Sequence, residues 1–493
     1  MASLWLDTAS PISTDPFEAD TEFDEVIVGA GITGLVTALL LAREGRRVAV
    51  VEARFVGAAT TGNTTAKLSQ LQGTQLSKVK DATYQRIVQA YADGNREAFD
   101  WMTGYLAFRG VPVDRRDAVT YASTADGVAA VLREHELAAS VGLETRLVDD
   151  VGLPFPTHAA VVLADQAQFD PMDVLATLVA DFRALGGKVF EGARVTGVRA
   201  SRPVQVSTRL GEIFGGRVVL ATGTPILDRG LYFAKVSAQR SYAQSFRVQG
   251  ELPRGMFLSV ESPARSIRTY RDLLLIGGNG HGVGRSSSPR AAMQDLADWT
   301  ADYWPGAELT NSWAAQDYVA PHHVPFVGAL PRGRGRVFLA TGFDKWGMTN
   351  GVATAMTLVA DLLGTHRPWQ TELRHRITTP RAIASAVGEN LAVGAWYAKG
   401  WARSLSRPLT TTEPAEGEGA IGRRGVLPAG VSTVDGVTCS VSTVCPHLFA
   451  ALSWNDGEKS WDCPAHGSRF APDGTRLEGP AKRDLTRLVN WAG

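Results

Sequence analysis

A glycine-punctuated apolar stretch near the start of the chain constrains the fold more than any other feature. Residues 24–54 read DEVIVGAGITGLVTALLLAREGRRVAVVEAR, in which a short apolar strand, a helix with apolar spacing and a second strand follow one another. Three glycines lie at the strand-to-helix turn in the spacing G-x-G-x-x-G, namely Gly29, Gly31 and Gly34. This order predicts a βαβ unit and with it a parallel sheet covered by helices.

The chemistry of this turn is that of a dinucleotide site. Gly29 permits the tight turn, Gly31 lets a pyrophosphate approach the backbone, and Gly34 lets helix and strand pack closely. Glu52 ends the second strand, where an acid binds ribose hydroxyls and prefers an unphosphorylated ribose, as in FAD or NAD. A lone glycine motif is weak and an ordinary glycine-rich turn is the alternative, but here strand, helix, second strand and acid agree.

Three further segments favour FAD over NAD. Residues 194–198 and 217–225 read RVTGV and RVVLATGTP, two strands of which the second runs into A-T-G. Residues 336–364, RVFLATGFDKWGMTNGVATAMTLVADLLG, repeat the strand and the A-T-G and continue into a glycine-bearing loop and a long helix, although a plain buried βα unit is the alternative. Residues 53–69, ARFVGAATTGNTTAKLS, place a small polar loop after the acid. Together these segments resemble the D-amino-acid-oxidase-like superfamily of FAD enzymes, which includes sarcosine and glycine oxidases.

The resemblance covers most of residues 23–375 and implies a Rossmann-type FAD-binding domain with an interleaved mixed-sheet substrate domain at about 85–170 and 230–330. It implies noncovalent FAD, because no cysteine precedes Cys439. Beyond the fingerprint and Glu52, it places these residues at the cofactor: Ala53, Thr64, Thr65, Val195, Gly223, Gly342, Gly347, Met348 and Thr349. The last four would line the pyrimidine edge of the flavin, and a helix from Asn350 would direct its positive end at the reduced, anionic ring.

The predicted catalytic side chains are Lys67, Lys345 and His281, three polar residues in segments expected near the flavin. For each, the alternative is a solvated or hydrogen-bonded structural residue. The wider set of polar candidates is Arg268, Tyr270, Asp317, Tyr318, His322 and His323. No triad or carboxylate pair is visible, but the resemblance implies oxidation of a C–N bond by hydride transfer to the flavin, and many members of that family need no strong protein base when the amine binds neutral.

A second motif lies near the C-terminus. Residues 445–470, CPHLFAALSWNDGEKSWDCPAHGSRF, contain C-x-H, fifteen intervening residues and C-x-x-H. Zinc accepts two Cys and two His, but zinc fingers pair two cysteines and then two histidines, whereas here each loop supplies one of each. A Rieske 2Fe–2S cluster takes the two histidines on one iron and the two cysteines on the other, which fits this order.

The surroundings resemble the Rieske family over about residues 419–490. VCPHL (444–448) matches its first loop, CPAHGSRF (463–470) its second, and APDGTRLEGPA (471–481) the hairpin and Gly-Pro loop that follow. The resemblance implies that Cys445 and Cys463 bind one iron and that His447 and His466 bind the other.

The departures from that family predict the cluster's potential. The disulfide cysteines of its high-potential members are Ala450 and Ala465 here, and their tyrosine is Phe470, while Ser468 is retained. Fewer hydrogen bonds to sulfur predict a potential towards the low end of a range of about −150 to +300 mV.

The predicted organisation is an N-terminal extension (1–22), the FAD-dependent oxidoreductase (23–379), a helical segment and linker (380–418) and a small all-β Rieske domain (419–493). The fold class is therefore α/β and α+β followed by all-β. The charged residues balance, 50 basic against 50 acidic, which argues against nucleic acid as a partner. The uncharged run 26–42 is broken by glycines and is short for a membrane span.

Cysteine usage and the N-terminal residues bear on the compartment. Three cysteines cannot form a disulfide framework, and the first twenty residues lack the pattern of a signal peptide. The sequence predicts a cytoplasmic protein.

These features predict a dehydrogenase for a small amine or amino-acid-like substrate, in which two electrons enter at FAD and leave singly through an exposed histidine edge of the cluster to an acceptor protein. Three alternatives remain open. The first is a reductase that takes electrons from an external donor through the cluster to flavin and substrate, and the second a non-catalytic redox-sensing or electron-transfer partner protein. The third is an oxidase that releases hydrogen peroxide.

Overall fold

The computed structural model describes residues 2–376 and 379–488. The strands are β1 (Glu22–Val28), β2 (Val48–Val51), β3 (Lys67–Leu68), β4 (Asp114–Ala122), β5 (Thr145–Val148), β6 (Ala159–Gln168), β7 (Lys188–Phe190), β8 (Val195–Arg199), β9 (Val204–Thr208), β10 (Glu212–Leu220), β11 (Ser237–Arg247), β12 (Gly255–Ser259), β13 (Arg265–Tyr270), β14 (Leu273–Gly282), β15 (Glu308–Val319), β16 (Phe326–Ala329), β17 (Val337–Thr341), β18 (Gly419–Arg424), β19 (Leu427–Val434), β20 (Val437–Ser442), β21 (Ser453–Asn455), β22 (Ser460–Asp462), β23 (Arg469–Phe470) and β24 (Arg476–Glu478).

The helices are α1 (Leu4–Thr8), α2 (Ile32–Arg43), α3 (Gln75–Ala82), α4 (Gln85–Arg109), α5 (Val128–Ser140), α6 (Pro171–Ala184), α7 (Tyr232–Lys235), α8 (Pro289–Tyr303), α9 (Gly347–Leu363), α10 (Pro368–Arg374) and α11 (Pro380–Leu405). Short 3₁₀ turns lie at Thr61–Asn63 and Ala125–Gly127.

The first sheet is built around the strand that precedes the glycine turn. Its order is β16-β17-β10-β1-β2-β7, with β8 and β9 attached through β10. Neighbours from β17 to β7 are parallel, as the predicted βαβ units require, and β16 closes the edge antiparallel. The last three residues of β1 (26–28) and all of β2 are apolar and buried because helices cover this sheet, and α2 packs against both α6 and α9.

The second sheet carries the middle of the chain. Its order is β15-β11-β14-β13-β12-β4-β6-β3, with β5 beside β6, and its pairs are antiparallel except for β12 with β4. The strand Phe326–Ala329, which falls inside the second predicted substrate segment, pairs with β17 in the first sheet instead.

The N-terminal residues are held against the loop that follows Glu52. Trp5 is fully buried, and its indole N–H donates to the carbonyl of Thr64 at 2.6 Å. Its ring meets that of Tyr270 edge-on, with centroids 4.7 Å apart. The predicted extension thus packs on the body of the protein.

The last part of the chain is a long helix followed by two small antiparallel sheets. The sheets are β18-β19-β20 and β21-β22-β23-β24, and residues 419–488, which contain them, are called the C-terminal unit below. The predicted fold class, a Rossmann-type sheet with an interleaved mixed sheet and then a small all-β region, is confirmed. The residue boundaries between these parts stay a prediction, and residues 489–493 of the last segment lie outside the described residues.

Within the two described ranges, no helix has the length and apolar character needed to cross a membrane.

Candidate functional site

A cavity of about 810 Å³ lies where the two sheets, the helix α11 and the C-terminal unit meet. The glycine turn and the end of β2 line one end of it, and the second sheet lines the other. Ser385, Ala386 and Glu389 of α11 contribute a third side. The segment from Arg476 to Gly479 of the C-terminal unit contributes a fourth.

The glycine turn is shaped by close backbone contacts. At Gly29, where φ is +110°, a Cβ would lie 2.4 Å from the carbonyl oxygen of Ala221, and at Gly34 it would lie 1.9 Å from the oxygen of Gly29. Gly31 lines the cavity, and a Cβ at this position would lie 3.0 Å from the hydroxyl oxygen of Thr61. Only glycine fits the first two positions, and the bare backbone at the third leaves room for a phosphate at the N-terminus of α2.

Glu52 is fixed at the end of β2 by backbone donors. Its carboxylate accepts the N–H of Ala30 at 3.0 Å and that of Arg54 at 2.9 Å. Because Glu52 lines the cavity beside Gly29 and Gly31, its oxygens lie where the hydroxyls of a ribose bound next to the glycine turn would be.

Most of the predicted cofactor residues come together in this cavity. Those that line it are Gly29, Gly31, Glu52, Ala53, Thr64, Thr65, Val195, Gly223, Gly347 and Met348. Gly34, Gly342 and Thr349 are buried behind the wall, where Thr349 accepts a hydrogen bond of 2.7 Å from the Gln72 amide. The N-terminus of α9 at Gly347 faces the cavity, which suits an anionic ring.

Lys67 lines the cavity with its amine held on the second sheet. Its Nζ donates to the carbonyl of Phe257 at 2.8 Å and to the Ser266 hydroxyl at 2.7 Å. Burial, with a smaller contribution from the charge of Arg268, lowers the pKa of Lys67 to about 7. A neutral amine in the cavity is therefore accessible near physiological pH.

Lys345 reaches the cavity from the loop that precedes α9. Asp344 and Lys345 both have positive φ, 51° and 67°, and the Lys345 N–H donates to the buried Asp317 carboxylate. Burial raises the pKa of Asp317 to about 7 and lowers that of Lys345. A Cβ on Gly280 would lie 2.6 Å from Lys345 Nζ, so this glycine makes room for the ammonium group.

His281, the third predicted catalytic residue, is not among the described residues that line the cavity. Its Nε2 lies 2.8 Å from the Tyr242 hydroxyl and its Nδ1 lies 2.9 Å from the carbonyl of Gly282. Of the wider set, Asp317, Tyr318 and His323 line the cavity, whereas Arg268, Tyr270 and His322 are held elsewhere by neighbours.

The four predicted cluster ligands form two pairs. The thiol of Cys445 is hydrogen-bonded to Cys463, which raises the pKa of Cys445, and the rings of His447 and His466 have centroids 5.2 Å apart. Among the described residues no three His, Cys, Asp or Glu side chains converge as they would on a single metal ion. Two pairs on two loops match the ligand set of a two-iron cluster.

The ring nitrogens of the two histidines support this fit. The Nδ1 atoms of His447 and His466 are buried and have no hydrogen-bond partner among the described residues. Burial lowers the pKa of both rings, to about 4 for His466, which keeps the imidazoles neutral as metal ligands must be. A bound iron would provide the missing partner for both of these buried nitrogens.

Hydrogen bonds to the sulfurs come mainly from the backbone. The N–H of His447 points at the Cys445 sulfur, and those of Ala465 and His466 point at the Cys463 sulfur. The Ser468 hydroxyl, fixed by the N–H of Ala481 at 3.0 Å, bonds the Cys445 sulfur as the sequence suggested.

The predicted exposed histidine edge is wrong. The His447 side chain is 4 % exposed, and both histidine rings meet the ring of Phe233 edge-on, at 4.8 and 4.9 Å between centroids. His447 Nε2 also lies 3.2 Å from Oδ1 of Asp228. The segment 228–236 connects β10 of the first sheet with β11 of the second, and its residues 234–236 line the cavity, so the histidines pack inwards on a segment of the cavity wall.

The C-terminal unit is held in this position by buried charges. Arg240 on β11 pairs with Glu458 and, at 3.4 Å, with Glu478, and Arg469 pairs with the same two carboxylates at 3.0 and 3.2 Å. Gln316 adds a 2.8 Å hydrogen bond to the carbonyl of Gly467. These contacts join the second sheet to the second cluster loop.

Family comparisons agree with this geometry. The family model described as FAD dependent oxidoreductase matches residues 24–362. The chain belongs to this family. A second model, the Rieske [2Fe-2S] domain, matches residues 416–489. Both predicted cofactors are confirmed at this level, since the first domain binds FAD and the second binds a 2Fe–2S cluster.

Individual relatives match either nearly the whole chain or a short segment of it. The flavoenzyme is 29% identical over 504 aligned positions to YhfW of Bacillus subtilis (strain 168), which is named for a Rieske 2Fe-2S iron-sulfur centre. The alignment covers 99% of this chain and 97% of that one. A segment of 45 residues, 9% of this chain, is 44% identical to 26% of the cytochrome b6-f complex iron-sulfur subunit of Synechococcus sp. (strain JA-3-3Ab).

Solved structures share the fold of the larger part. L-proline dehydrogenase from P. horikoshii has a TM-score of 0.60 at 18% identity, over 72% of this chain and 98% of that one. Glycine oxidase from Geobacillus kaustophilus has a TM-score of 0.60 at 17% identity, over 71% of this chain and 96% of that one.

Several residues at the site were not found from the sequence. Asp228, Phe233 and Glu389 lie in segments without a motif, and their partners are more than a hundred residues away along the chain. The only available signal was weak, an aromatic residue and an acid just after the first A-T-G segment.

Proposed function

We propose that this flavoenzyme is a dehydrogenase that oxidises the C–N bond of a small amine or amino-acid-like substrate and releases the electrons singly through its own Rieske centre. Noncovalent FAD is held along the cavity by the glycine turn, Glu52 and the N-terminus of α9. Cys445 and Cys463 hold one iron, and His447 and His466 hold the other. Bound FAD supplies a two-electron hydride acceptor, and the cluster supplies a one-electron carrier.

The residues of the cavity have separate roles in this reaction. Lys67, with a pKa of about 7, takes up the proton that a protonated amine must lose before its C–H bond yields a hydride. Lys345 and the unpartnered hydroxyl of Ser241 bind and orient the polar groups of the substrate. The substrate loses one hydride and one proton, and two electrons then pass to two one-electron acceptors.

An amine is favoured by a buried carboxylate. Glu261 lines the cavity, and its Oε2 atom is buried with no hydrogen-bond partner among the described residues, while Oε1 accepts the N–H of Ser123 at 2.7 Å. An unpartnered buried carboxylate oxygen suits a cationic or N–H-bearing group. The structural neighbours include a dehydrogenase of L-proline and an oxidase of glycine, which supports the same class.

The main support for this proposal is the position of Phe233. Both histidine rings pack on its ring, and the cavity is lined by the next three residues of the chain, Ala234, Lys235 and Val236. A single short segment therefore separates the two redox sites. Such an arrangement serves electron transfer within one chain, which an oxidase that reacts directly with oxygen would not need.

The test is an anaerobic titration of purified holoenzyme with candidate amines, followed by absorption and electron paramagnetic resonance. We expect bleaching of the flavin and the appearance of a rhombic signal of the reduced cluster. In Cys445→Ser supplied with excess FAD, the flavin should bleach and the cluster signal should be absent. Flavin bleaching without a reduced cluster, followed by stoichiometric hydrogen peroxide when air is admitted, would favour an oxidase, and reduction of the enzyme only by an external donor protein would favour a reductase.

We also propose a reducing, cytoplasmic setting. All three cysteines are unpaired, and two of them are needed as free thiolates by the cluster.

A further inference from the structure

We propose that the outer end of the C-terminal unit, where the first cluster loop turns, is the docking surface for an acidic one-electron carrier protein. This inference rests on the proposed function, in which single electrons must leave or enter the chain. With the histidine rings turned inwards, the route between the cluster and an outside partner has to run through another part of the loops.

The first cluster loop ends in two exposed apolar side chains. Leu448 is 43 % exposed and Phe449 is 62 % exposed, and they directly follow the ligand His447. The N–H of Phe449 donates to the carbonyl of Cys445 at 2.9 Å. One hydrogen bond therefore links the exposed phenylalanine to the backbone of a cluster ligand.

Phe449 is held outwards by a strained backbone. Its φ is 61°, in the left-handed region that a bulky side chain seldom adopts. The indole N–H of Trp401 on α11 fixes the same residue through its carbonyl at 3.0 Å. A strained conformation that exposes an aromatic ring to water is typical of a functional position, since the fold gains nothing from that ring.

The sheet topology places further apolar side chains at this end. In β19 and β20, Ala429 pairs with Ser442, and the N–H of Thr443 donates to the carbonyl of Pro428, so the start of β19 lies beside the start of the cluster loop. Val426, in the turn before β19, and Leu427, the first residue of that strand, are both exposed. These two residues, together with Leu448 and Phe449, are exposed apolar residues of this end of the C-terminal unit and are called the apolar patch below.

The charges near the patch are positive. Arg403 follows Trp401 by two residues on α11. Arg423 lies opposite Pro428 in the strand pair β18–β19. Arg407 lies beside Arg423, since its carbonyl accepts the N–H of Arg423 at 3.0 Å. All three arginines are exposed.

Of the nearby carboxylates, Asp228 is bound by His447 and Lys482, and Glu416 lies at the opposite end of the same sheet. There, Glu416 accepts the N–H groups of Asp435 and Gly436 at 2.8 and 3.1 Å. An apolar patch with a basic rim at one end and acids at the other fits a carrier whose own docking face is acidic. Each encounter moves one electron between the cluster and the carrier, so two encounters balance one substrate hydride.

The experiment uses a reduced, acidic plant-type 2Fe–2S ferredoxin as the probe. Plant-type ferredoxins have lower potentials than Rieske centres, so transfer from the ferredoxin to the oxidised holoenzyme is downhill. Anaerobic stopped-flow mixing gives the second-order rate constant for cluster reduction. The wild-type rate constant should fall steeply as salt is raised, because opposite charges steer the encounter.

Three variants define the surface. Phe449→Glu and the charge reversal Arg423→Glu should each lower the ferredoxin rate constant about tenfold at low salt. Phe449→Gly removes the ring but relieves the left-handed backbone, so it should slow the ferredoxin reaction without lowering the thermal unfolding midpoint. Phe108→Glu, a matched change at a phenylalanine that is 82 % exposed on α4, should leave the rate unchanged.

Two control reactions accompany the variants. Dithionite, a small reductant, should reduce the cluster at the same rate in all these proteins. A basic c-type cytochrome should oxidise the reduced wild-type enzyme slowly and the reduced Arg423→Glu variant faster. Equal ferredoxin rates in wild type, Phe449→Glu and Phe449→Gly would overturn the docking surface while leaving the proposed function intact. Failure of the proposed function would instead appear as flavin that amines reduce without any electron reaching the cluster.

Discussion

His447 and Asp228 join the two redox parts of the chain through a hydrogen bond of 3.2 Å between Nε2 and Oδ1. Lys482 completes the group, since its Nζ lies 2.9 Å from the other oxygen of Asp228. The carboxylate therefore contacts a proposed ligand of the cluster from the oxidoreductase part of the chain, and its charge would act on a cluster bound there.

Asp228→Asn should raise the reduction potential of the cluster. The negative charge of Asp228 favours the oxidised, more positive cluster, so its removal should shift the midpoint upwards by roughly 40 mV, or about 1 kcal/mol for one electron. A potentiometric titration followed by electron paramagnetic resonance measures this. Lys482→Gln removes a positive charge from the same group and should shift the midpoint downwards; equal shifts in both variants would show that packing, not charge, is responsible.

Phe233→Ala should separate flavin reduction from cluster reduction. The ring contacts both histidines, and edge-on aromatic contacts contribute about 0.5–1.5 kcal/mol each, so its loss loosens the segment between the two sites. In rapid mixing with substrate, flavin bleaching should keep its wild-type rate and the cluster signal should appear several-fold later. Phe233→Tyr, which keeps the ring, is the control and should behave as wild type.

Lys67→Met should stabilise the protein in a pH-dependent way. The buried amine has a pKa of about 7 in the folded chain against 10.5 in the unfolded chain. The cost of burying it is full below pH 7, shrinks as pH rises from 7 to 10.5 and vanishes above, and its upper limit is about 5 kcal/mol. The gain in unfolding midpoint over wild type should therefore decline between pH 7 and 10. A gain or loss that is constant with pH would contradict the lowered pKa.

Arg240→Met should loosen the C-terminal unit. Burial opposes ionisation of Glu458, but Arg240 and Arg469 outweigh it and lower its pKa to about 2. The variant leaves this buried carboxylate with a single arginine partner, Arg469, beside the amide of Asn455, at a cost of about 2–3 kcal/mol.

Limited proteolysis of the linker at 407–418 measures this loosening, and cleavage should be faster in Arg240→Met. Arg265→Met, which removes a buried arginine of β13 that pairs with Asp295 on α8, should reduce stability without that increase. In the wild type, the stabilisation from Glu458 should be complete above pH 4.5 and should be lost as the pH falls towards 2.

Much of the fold and most of the cofactor wall could be predicted from local sequence. The turn at Gly29–Gly34 and the acid at Glu52 are set by backbone geometry over a few residues, and so is the spacing of the ligands in each cluster loop. In such cases the chemistry dictates residue types at fixed intervals, and the intervals are visible in the sequence.

The relative placement of the two redox parts was not visible. Whether His447 faces water or Phe233 depends on contacts between residues more than two hundred positions apart, such as Arg240 with Glu458. No periodicity records which surface of a small sheet packs on a larger domain. The same reason explains His281, whose place on β14 was predicted near the flavin but whose ring turns to Tyr242.

The wall that the segment Arg476–Gly479 contributes to the cavity bears on how the enzyme is assembled in the cell. The hairpin that carries this segment follows directly on the second cluster loop, and Ala481, just beyond it, bonds Ser468 inside that loop. A chain that has not received its iron would have a less ordered loop and so an incomplete wall around the flavin. Iron starvation should thus yield protein that is short of both prosthetic groups, and the yellow colour of a preparation should report how well its iron was delivered.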